Sequence, residues 1–287
     1  MADISAQDVK KLREKTGAGM MECKNALVEC KGDSAAAEKL LKEKGLAAIE
    51  KRSGRATNEG KIFIKINADG SRAVLVEVAS ETDFVARNPE FAVMGNAIAE
   101  KALEKGFTGP VEELSAMVTD LATKIRENMS LKRVKSVSAS ANEYLSQYIH
   151  GDGAIGVVVK LGSDKPEIFK NEEVTSFAFN LALHIAAFNP LYLSREKVDQ
   201  QWLKEQEEIF RRQMESDESM KEKPANVVDN ILKGKVNKFL KEICMLDQGY
   251  VKDEKIPVAK ALEELGKKTG ASITIADFVY FKVGSDA

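Results

Sequence analysis

The sequence predicts an α+β protein: a module of three small helices, a core of two α/β halves with antiparallel sheets, and an antiparallel helical hairpin inserted in the second half. Apolar residues recur at helical spacing through the first fifty or so positions, and from Lys61 the pattern changes to strands rich in β-branched residues. An order of hairpin followed by helix then appears a second time, which is the signature of two tandem halves. The chain of 287 residues is about two domains' worth at roughly 150 residues each, enough to bury cores without disulfide or metal staples.

The first helix starts at Ser5, which stands three residues before Asp8 in a capping-box spacing; Val9 and Leu12 follow, and Thr16-Gly17 closes the run. Met20, Cys23, Leu27 and Cys30 mark an apolar face on a second helix that Gly32-Asp33 ends. Ser34 is placed to cap a third helix, through Leu40 and Leu41 up to Gly45. The stretch EKRSGRATNEG from Glu50 to Gly60 is polar and glycine-punctuated, as expected of a linker, with a boundary near Ser53. The domains expected are therefore 1–53 (helical module), 54–140 (first core half) and 141–287 (second core half).

In the first half, KIFIKINA and RAVLVEVA are strands joined by the hairpin turn signal Asp69-Gly70. A loop, SETDFVARNPE, leads to a helix through Phe91, Met94, Ile98 and Leu103, and Pro110 to Ile125 carries another. In the second half NEYLSQYIH and IGVVVKLG flank Gly151-Asp152-Gly153, and a helix through Phe177, Leu181 and His184 ends at Phe188-Asn189-Pro190. The hairpin occupies about 196–246: a charged helix from Glu196 to Met214, a polar break at DESMKEKP, and a return helix with Leu232, Val236, Phe239, Ile243 and Leu246 on one side. A helix from Val258 to Lys268 and a strand in ASITIADFVYFKVG finish the chain.

Composition excludes several classes of function. Lys+Arg 43 against Asp+Glu 45 gives a net charge of -2, without the basic bias of a duplex-nucleic-acid binder, so no direct nucleic-acid partner is expected. No apolar run approaches the ~20 residues needed to span a bilayer, and Met1-Ala-Asp-Ile-Ser does not begin like a targeting peptide, so a cytoplasmic protein without a membrane partner is expected. Cys23, Cys30 and Cys244 form no CxxC pair and suit reduced thiols, which leaves no expected metal site. With only His150 and His184, the commonest general base is nearly absent. Gly151-Asp-Gly153-Ala-Ile-Gly156 fits GxGxxG in letters, but a strand follows where the dinucleotide motif needs a helix, so it reads as a hairpin turn. Gly54 to Lys61 misses the phosphate-loop spacing by one residue, and LKRVK at 131–135 alternates like a half-exposed strand. No cofactor is expected.

The informative loop is Thr82-Asp83-Phe84-Val85-Ala86-Arg87-Asn88. A strand ends near Ala79, and Thr82 can cap the next turn, leaving an acidic and a large aromatic side chain adjacent at the tip. Spacing alone favours Phe84 as a core residue at the helix start; an exposed Asp-Phe pair would instead be a wedge for another protein's site.

Four ordered segments then carry a resemblance. LREKTGAGMMECKNAL, TDFVARN, HIAAFNP and KVNKFLKEICMLDQGYVKD are similar to signature segments of the bacterial elongation factor Ts family, the guanine nucleotide exchange factors of elongation factor Tu, and the likeness covers nearly the whole chain. The resemblance implies that the first module is like a ubiquitin-associated domain, and that the protein is not an enzyme but binds Tu, with GDP or nucleotide-free, in a 1:1 or 2:2 complex and promotes loss of magnesium and GDP. It implies that Thr82, Asp83, Phe84 and Val85 form the loop entering Tu beside its nucleotide, that Leu12, Met20 and Met21 touch Tu from the helical module, and that His184 belongs to a second contact region in the core. The metal involved belongs to the partner. Some members continue into a further C-terminal helix beyond the position of Phe281-Lys-Val-Gly284, and the resemblance leaves open what contact that helix makes with Tu. The alternative is a non-catalytic adaptor that uses the helical module alone and has no need of the Asp83-Phe84 tip.

Overall fold

A computed structural model describes residues 4–221 and 223–285; residues 1–3, used in the targeting argument, and Glu222, inside the polar break, lie outside the described residues. The chain is α+β. It divides into two compact units, one made of Met1–Ser138, Ile149–Gly156 and Phe281–Ala287, the other of Ala139–Tyr148 and Val157–Tyr280.

The first unit opens with helices α1 (Ala6–Thr16), α2 (Met20–Glu29) and α3 (Ser34–Glu50). Ser5 caps α1 by accepting from the Asp8 N–H, and Gly17 ends it in the left-handed conformation (φ 68°). Val9, Leu12, Cys23, Ala26, Leu27 and Ala37 form the apolar centre of the three helices. Two local readings need correction. Asp33, not Ser34, caps α3, because its carboxylate reaches two free amides at once, those of Ala35 (2.9 Å) and Ala36 (3.0 Å). And α3 does not stop at Gly45: a Cβ there would lie 2.4 Å from Thr123 Cγ2, so this glycine serves close approach within a helix rather than helix termination.

Residues 51–55 turn the chain into β1 (Glu59–Ile66), which pairs antiparallel with β2 (Arg72–Ser80); α4 (Asp83–Ala86), α5 (Pro89–Lys105) and α6 (Glu112–Ile125) follow, and β3 (Met129–Ser138) adds to the far edge of β2. The core of this unit is the sheet face carrying Phe63, Val74, Val76 and Val78 against Phe91, Ile98, Leu114 and Val118. β3 does not keep the strict alternation expected of LKRVK: Met129, Val134 and Val137 are its buried positions, because the pairing with β2 shifts register between Arg133 and Leu131. Gly151, Asp152 and Gly153 all have positive φ (59°, 55° and 97°) in the hairpin between β4 (Glu143–His150) and β5 (Ile155–Ser163). That hairpin lies on β1, where Gly153 O accepts the Ile62 N–H at 2.8 Å and Asp152 pairs with Lys61 at 2.8 Å. The GxGxxG letters are thus a turn.

The second unit contains α7 (Glu172–Phe188), α8 (Gln200–Glu215), α9 (Glu218–Lys221), α10 (Ala225–Ile243), the short pair β6 (Gly249–Tyr250) and β7 (Asp253–Pro257), α11 (Val258–Thr269) and β8 (Ile273–Lys282). Its sheet has the order β4-β5-β8. α8 and α10 form the expected hairpin: Arg211 near the end of α8 meets Asp229 near the start of α10 at 3.6 Å, while the Trp202 ring at the start of α8 packs, tilted, against Phe239 near the end of α10 with centroids 5.8 Å apart. The buried positions of α10 are Leu232, Val236, Leu240 and Ile243, with Phe239 half-buried. Leu246 lies past the helix in a 3₁₀ turn, because the helix already ends at Ile243.

Candidate functional site

The Thr82–Val85 loop is built by its two ends. Ser80, fully buried at the end of β2, donates its hydroxyl to Thr82 O at 3.0 Å, and Thr82 caps α4 by accepting the Val85 N–H at 3.4 Å. Val85 and Ala86 are 6% and 5% exposed, and this fixes which side of the single turn faces inward. Phe84 then points the other way and is 80% exposed, so the core position suggested by spacing is corrected: neighbours one and two residues later take the core instead. An aromatic ring left this open keeps about its full burial free energy for a partner. Asp83 sits beside it with its carboxylate 3.1 Å from Arg87 Nη2 on a mostly exposed pair, so it stays reachable by an incoming partner.

A second layer fixes the tip from behind. The Thr82 hydroxyl donates to the Glu127 carboxylate at 3.0 Å, and Glu81 accepts the Asn128 N–H at 2.5 Å and faces Arg55 at 3.3 Å. The Asn128 N–H, opposed by partial burial and assisted by Arg55, holds the Glu81 carboxyl below the ordinary carboxylate range. Asn88 ends the loop by capping α5, accepting the Glu90 N–H at 2.9 Å, with Pro89 at the first helical position. Glu81, Glu127 and Asn128 escape a sequence reading, because their partners are remote in the chain; only the capping pattern at Thr82 and Asn88 is local.

The structure separates the residues grouped for the helical module. Met20 and Met21, at the start of α2, are 55% and 63% exposed, whereas Leu12 is 1% exposed in the centre of the three helices. Leu12 therefore holds the module together and offers no side chain to a partner. His184 is also enclosed: its Nε2 donates to Gln248 Oε1 at 2.9 Å, and its ring packs, tilted, against Phe188 with centroids 4.7 Å apart. The Gln248 amide donates to Glu242 O at 2.6 Å, which fixes the amide's orientation and so the histidine tautomer. Burial pushes the His184 pKa down, against a smaller upward pull from Gln248. His184 is thus an internal strut beneath its surface. Among the described residues there is no cluster of His, Cys, Asp and Glu that could hold a metal ion, and no helix is long and apolar enough to cross a membrane.

Comparison with known proteins identifies the family. The family model described as Elongation factor TS matches residues 81–285, beginning at the tip loop. An elongation factor Ts of Treponema denticola is 52% identical over 282 residues, covering 98% of this chain and 99% of the relative. Those of Treponema pallidum (strain Nichols) and Clostridium acetobutylicum are 46% and 40% identical, each covering 98% of this chain and 99% and 92% of the relative. By its family match and its relatives, the chain is a translation elongation factor. It belongs to the elongation factor Ts family.

Proposed function

We propose that this protein binds elongation factor Tu carrying GDP in the cytoplasm and promotes GDP release by setting the Asp83-Phe84 tip against Tu's magnesium and phosphate site. The observation that carries the reading is the orientation of α4: Val85 and Ala86 are closed into the core while Phe84 is 80% exposed. A phenylalanine this open adds little to folding stability, and its place at the tip beside Asp83 supports a use in a complex. In this reading Phe84 supplies apolar anchorage and Asp83 a negative charge beside a cation that the partner holds. Magnesium and the phosphate loop supply much of the hold on a bound nucleotide, and displacing either raises its off-rate.

No covalent chemistry is required. If the protein favours a Tu conformation that holds GDP weakly, GDP weakens the protein's own binding by the same factor, so exchange is a coupling free energy rather than a reaction. Residues 1–53, with exposed Met20 and Met21, are assigned the second contact; residues 54–140 carry the tip; residues 141–287, with the hairpin at about 196–246, supply the rest of the core contact, with His184 as a positioning residue. The test is GDP release from the cognate Tu with and without this protein. Acceleration is expected, and its absence overturns the reading. An adaptor using α2 alone, which the open Met20 and Met21 would also suit, predicts binding that ignores Phe84→Ala.

A further inference from the structure

The chain between α6 and β3 is three residues long, Arg126-Glu127-Asn128, and each of them holds a different element. Arg126 pairs its guanidinium with the carboxylate of Glu22 in the first turn of α2, next to Met21. The same Glu22 oxygen accepts the Gly19 N–H at 2.9 Å, so the pair is made with the very group that organises the start of α2. Glu127 accepts the hydroxyl of Thr82, the residue that caps α4. Asn128, 7% exposed, gives its N–H to Glu81 at 2.5 Å and its side-chain amide to Arg55 O at 2.8 Å, on the chain leaving α3.

This arrangement carries a backbone cost. Arg126 has φ 67° and ψ 28°, the left-handed region, where a side chain other than glycine or asparagine is disfavoured. A glycine would end α6 there without strain. The guanidinium is what an arginine adds at that position. Apolar contact anchors the helical module at the far end of α3, where Ile49 packs against the core that includes α6, while toward α2 a cavity of about 510 Å³ opens, bounded by Glu22, Leu41, Gly45, Thr123, Lys124 and Arg126. Another ion pair across it, Lys42 with Asp120, is long (4.0 Å) and exposed. Ile49 and the close contact at Gly45 hold α3 to this core, and the Arg126–Glu22 link is the contact that reaches α2 itself.

We infer that Arg126-Glu127-Asn128 is a bracket that holds the Met20-Met21 end of α2 in register with the Asp83-Phe84 tip, so that one partner meets both contacts already aligned. The inference rests on the exchange-factor reading for the identity of that partner, while the alignment itself is a property of the free protein. Two contacts on one rigid frame bind better than the same two contacts on a loose one, because the second becomes intramolecular at a high effective concentration and less orientational freedom is lost on binding. Arg126 and Glu127 are positioning residues and need not touch the partner.

The experiment uses the full chain with Cys30→Ser, and spin labels on Lys24→Cys in α2 and Arg87→Cys behind the tip; Cys23 and Cys244 are buried and stay in place. Arg126→Gly removes the guanidinium and relieves the left-handed strain, so melting should be unchanged while the label-to-label distance distribution broadens. Unlabelled Arg126→Gly should bind Tu about tenfold more weakly, and should make no further difference once Met20 and Met21 are both alanine, since a frame with one contact has nothing to align. Glu127→Ala should weaken binding similarly, and Glu127→Gln, which keeps an oxygen for the Thr82 hydroxyl, should restore most of it. An unchanged distance distribution in Arg126→Gly overturns the bracket whatever Tu does. A broadened distribution with unchanged Tu affinity, or an equal loss with and without the methionines, overturns its role in partner alignment. Failure of the parent protein to bind Tu overturns the exchange-factor reading, and the bracket's assigned purpose with it.

Discussion

Truncating Phe84 to alanine separates folding from binding, because the structure assigns the ring almost wholly to one of them. Fully burying a phenylalanine side chain is worth about 1.5–3 kcal/mol. With 80% of Phe84 exposed in the free protein, about four-fifths of that remains available to a partner, or about 1.2–2.4 kcal/mol. At 1.4 kcal/mol per tenfold, the Tu complex of Phe84→Ala should be about seven- to fiftyfold weaker. The folded protein loses only the remaining fifth, about 0.3–0.6 kcal/mol, which for a chain of this size lowers the melting temperature by no more than about 2 °C. Calorimetric melting, Tu binding by titration, and GDP off-rates at saturating protein give the three readouts. A fall of melting temperature beyond about 8 °C with normal exchange per folded molecule would refute the reasoning, because it would mean the ring supports the core after all.

Other perturbations follow from the same contacts. Asp83→Asn removes the Arg87 pair, an exposed contact worth under about 1 kcal/mol, so stability should hold while stimulated GDP release slows more than binding weakens; stopped-flow GDP release against equilibrium affinity checks this. Glu77→Ala leaves Arg133 half-enclosed without its 2.6 Å partner and removes the acceptor of the Gly284 N–H, which should cost about 3 kcal/mol in denaturant unfolding, whereas Glu77→Leu with Arg133→Met should recover most of it. The buried, neutral His184 has a depressed pKa, so the unfolded chain binds its proton more readily. Stability should therefore decline as pH falls below the ordinary value of 6.5 toward the lower folded value, and that decline should be absent from the wild-type-minus-variant comparison above that pH; denaturation of wild type and His184→Asn across pH measures it.

What the sequence made legible was whatever is decided within a few residues. The caps at Ser5 and Thr82 depend on an oxygen reaching an amide three positions ahead, and the glycine hairpin at 151–153 depends on positive φ; both can be judged locally. The same reasoning failed at Gly45 because a glycine has two uses, ending a helix or admitting a neighbour, and only the presence of Thr123 against it decides between them. Phe84 is the same case on a larger scale. Apolar character says that a side chain gains by burial, but which of Phe84, Val85 and Ala86 is buried depends on how a single turn is rolled on the sheet, and the roll is set by Ser80, Thr82 and Glu127.

The groups that orient the tip were invisible for a further reason. Glu127 and Asn128 have the composition of an ordinary polar turn, and an arginine in the left-handed region announces nothing, since the residue types that favour that region are glycine and asparagine. Their role comes from partners brought from two remote places in the chain, Glu22 and the neighbouring pair Glu81 and Thr82, onto three consecutive residues. A tip that must be exposed to work cannot be fixed by burying itself. Its orientation has to come from the residues behind it, and here those residues hold the helical module as well. A binding surface of this kind is therefore recognised in sequence by its conspicuous tip, while the part that gives the tip its direction is legible only once the chain has folded.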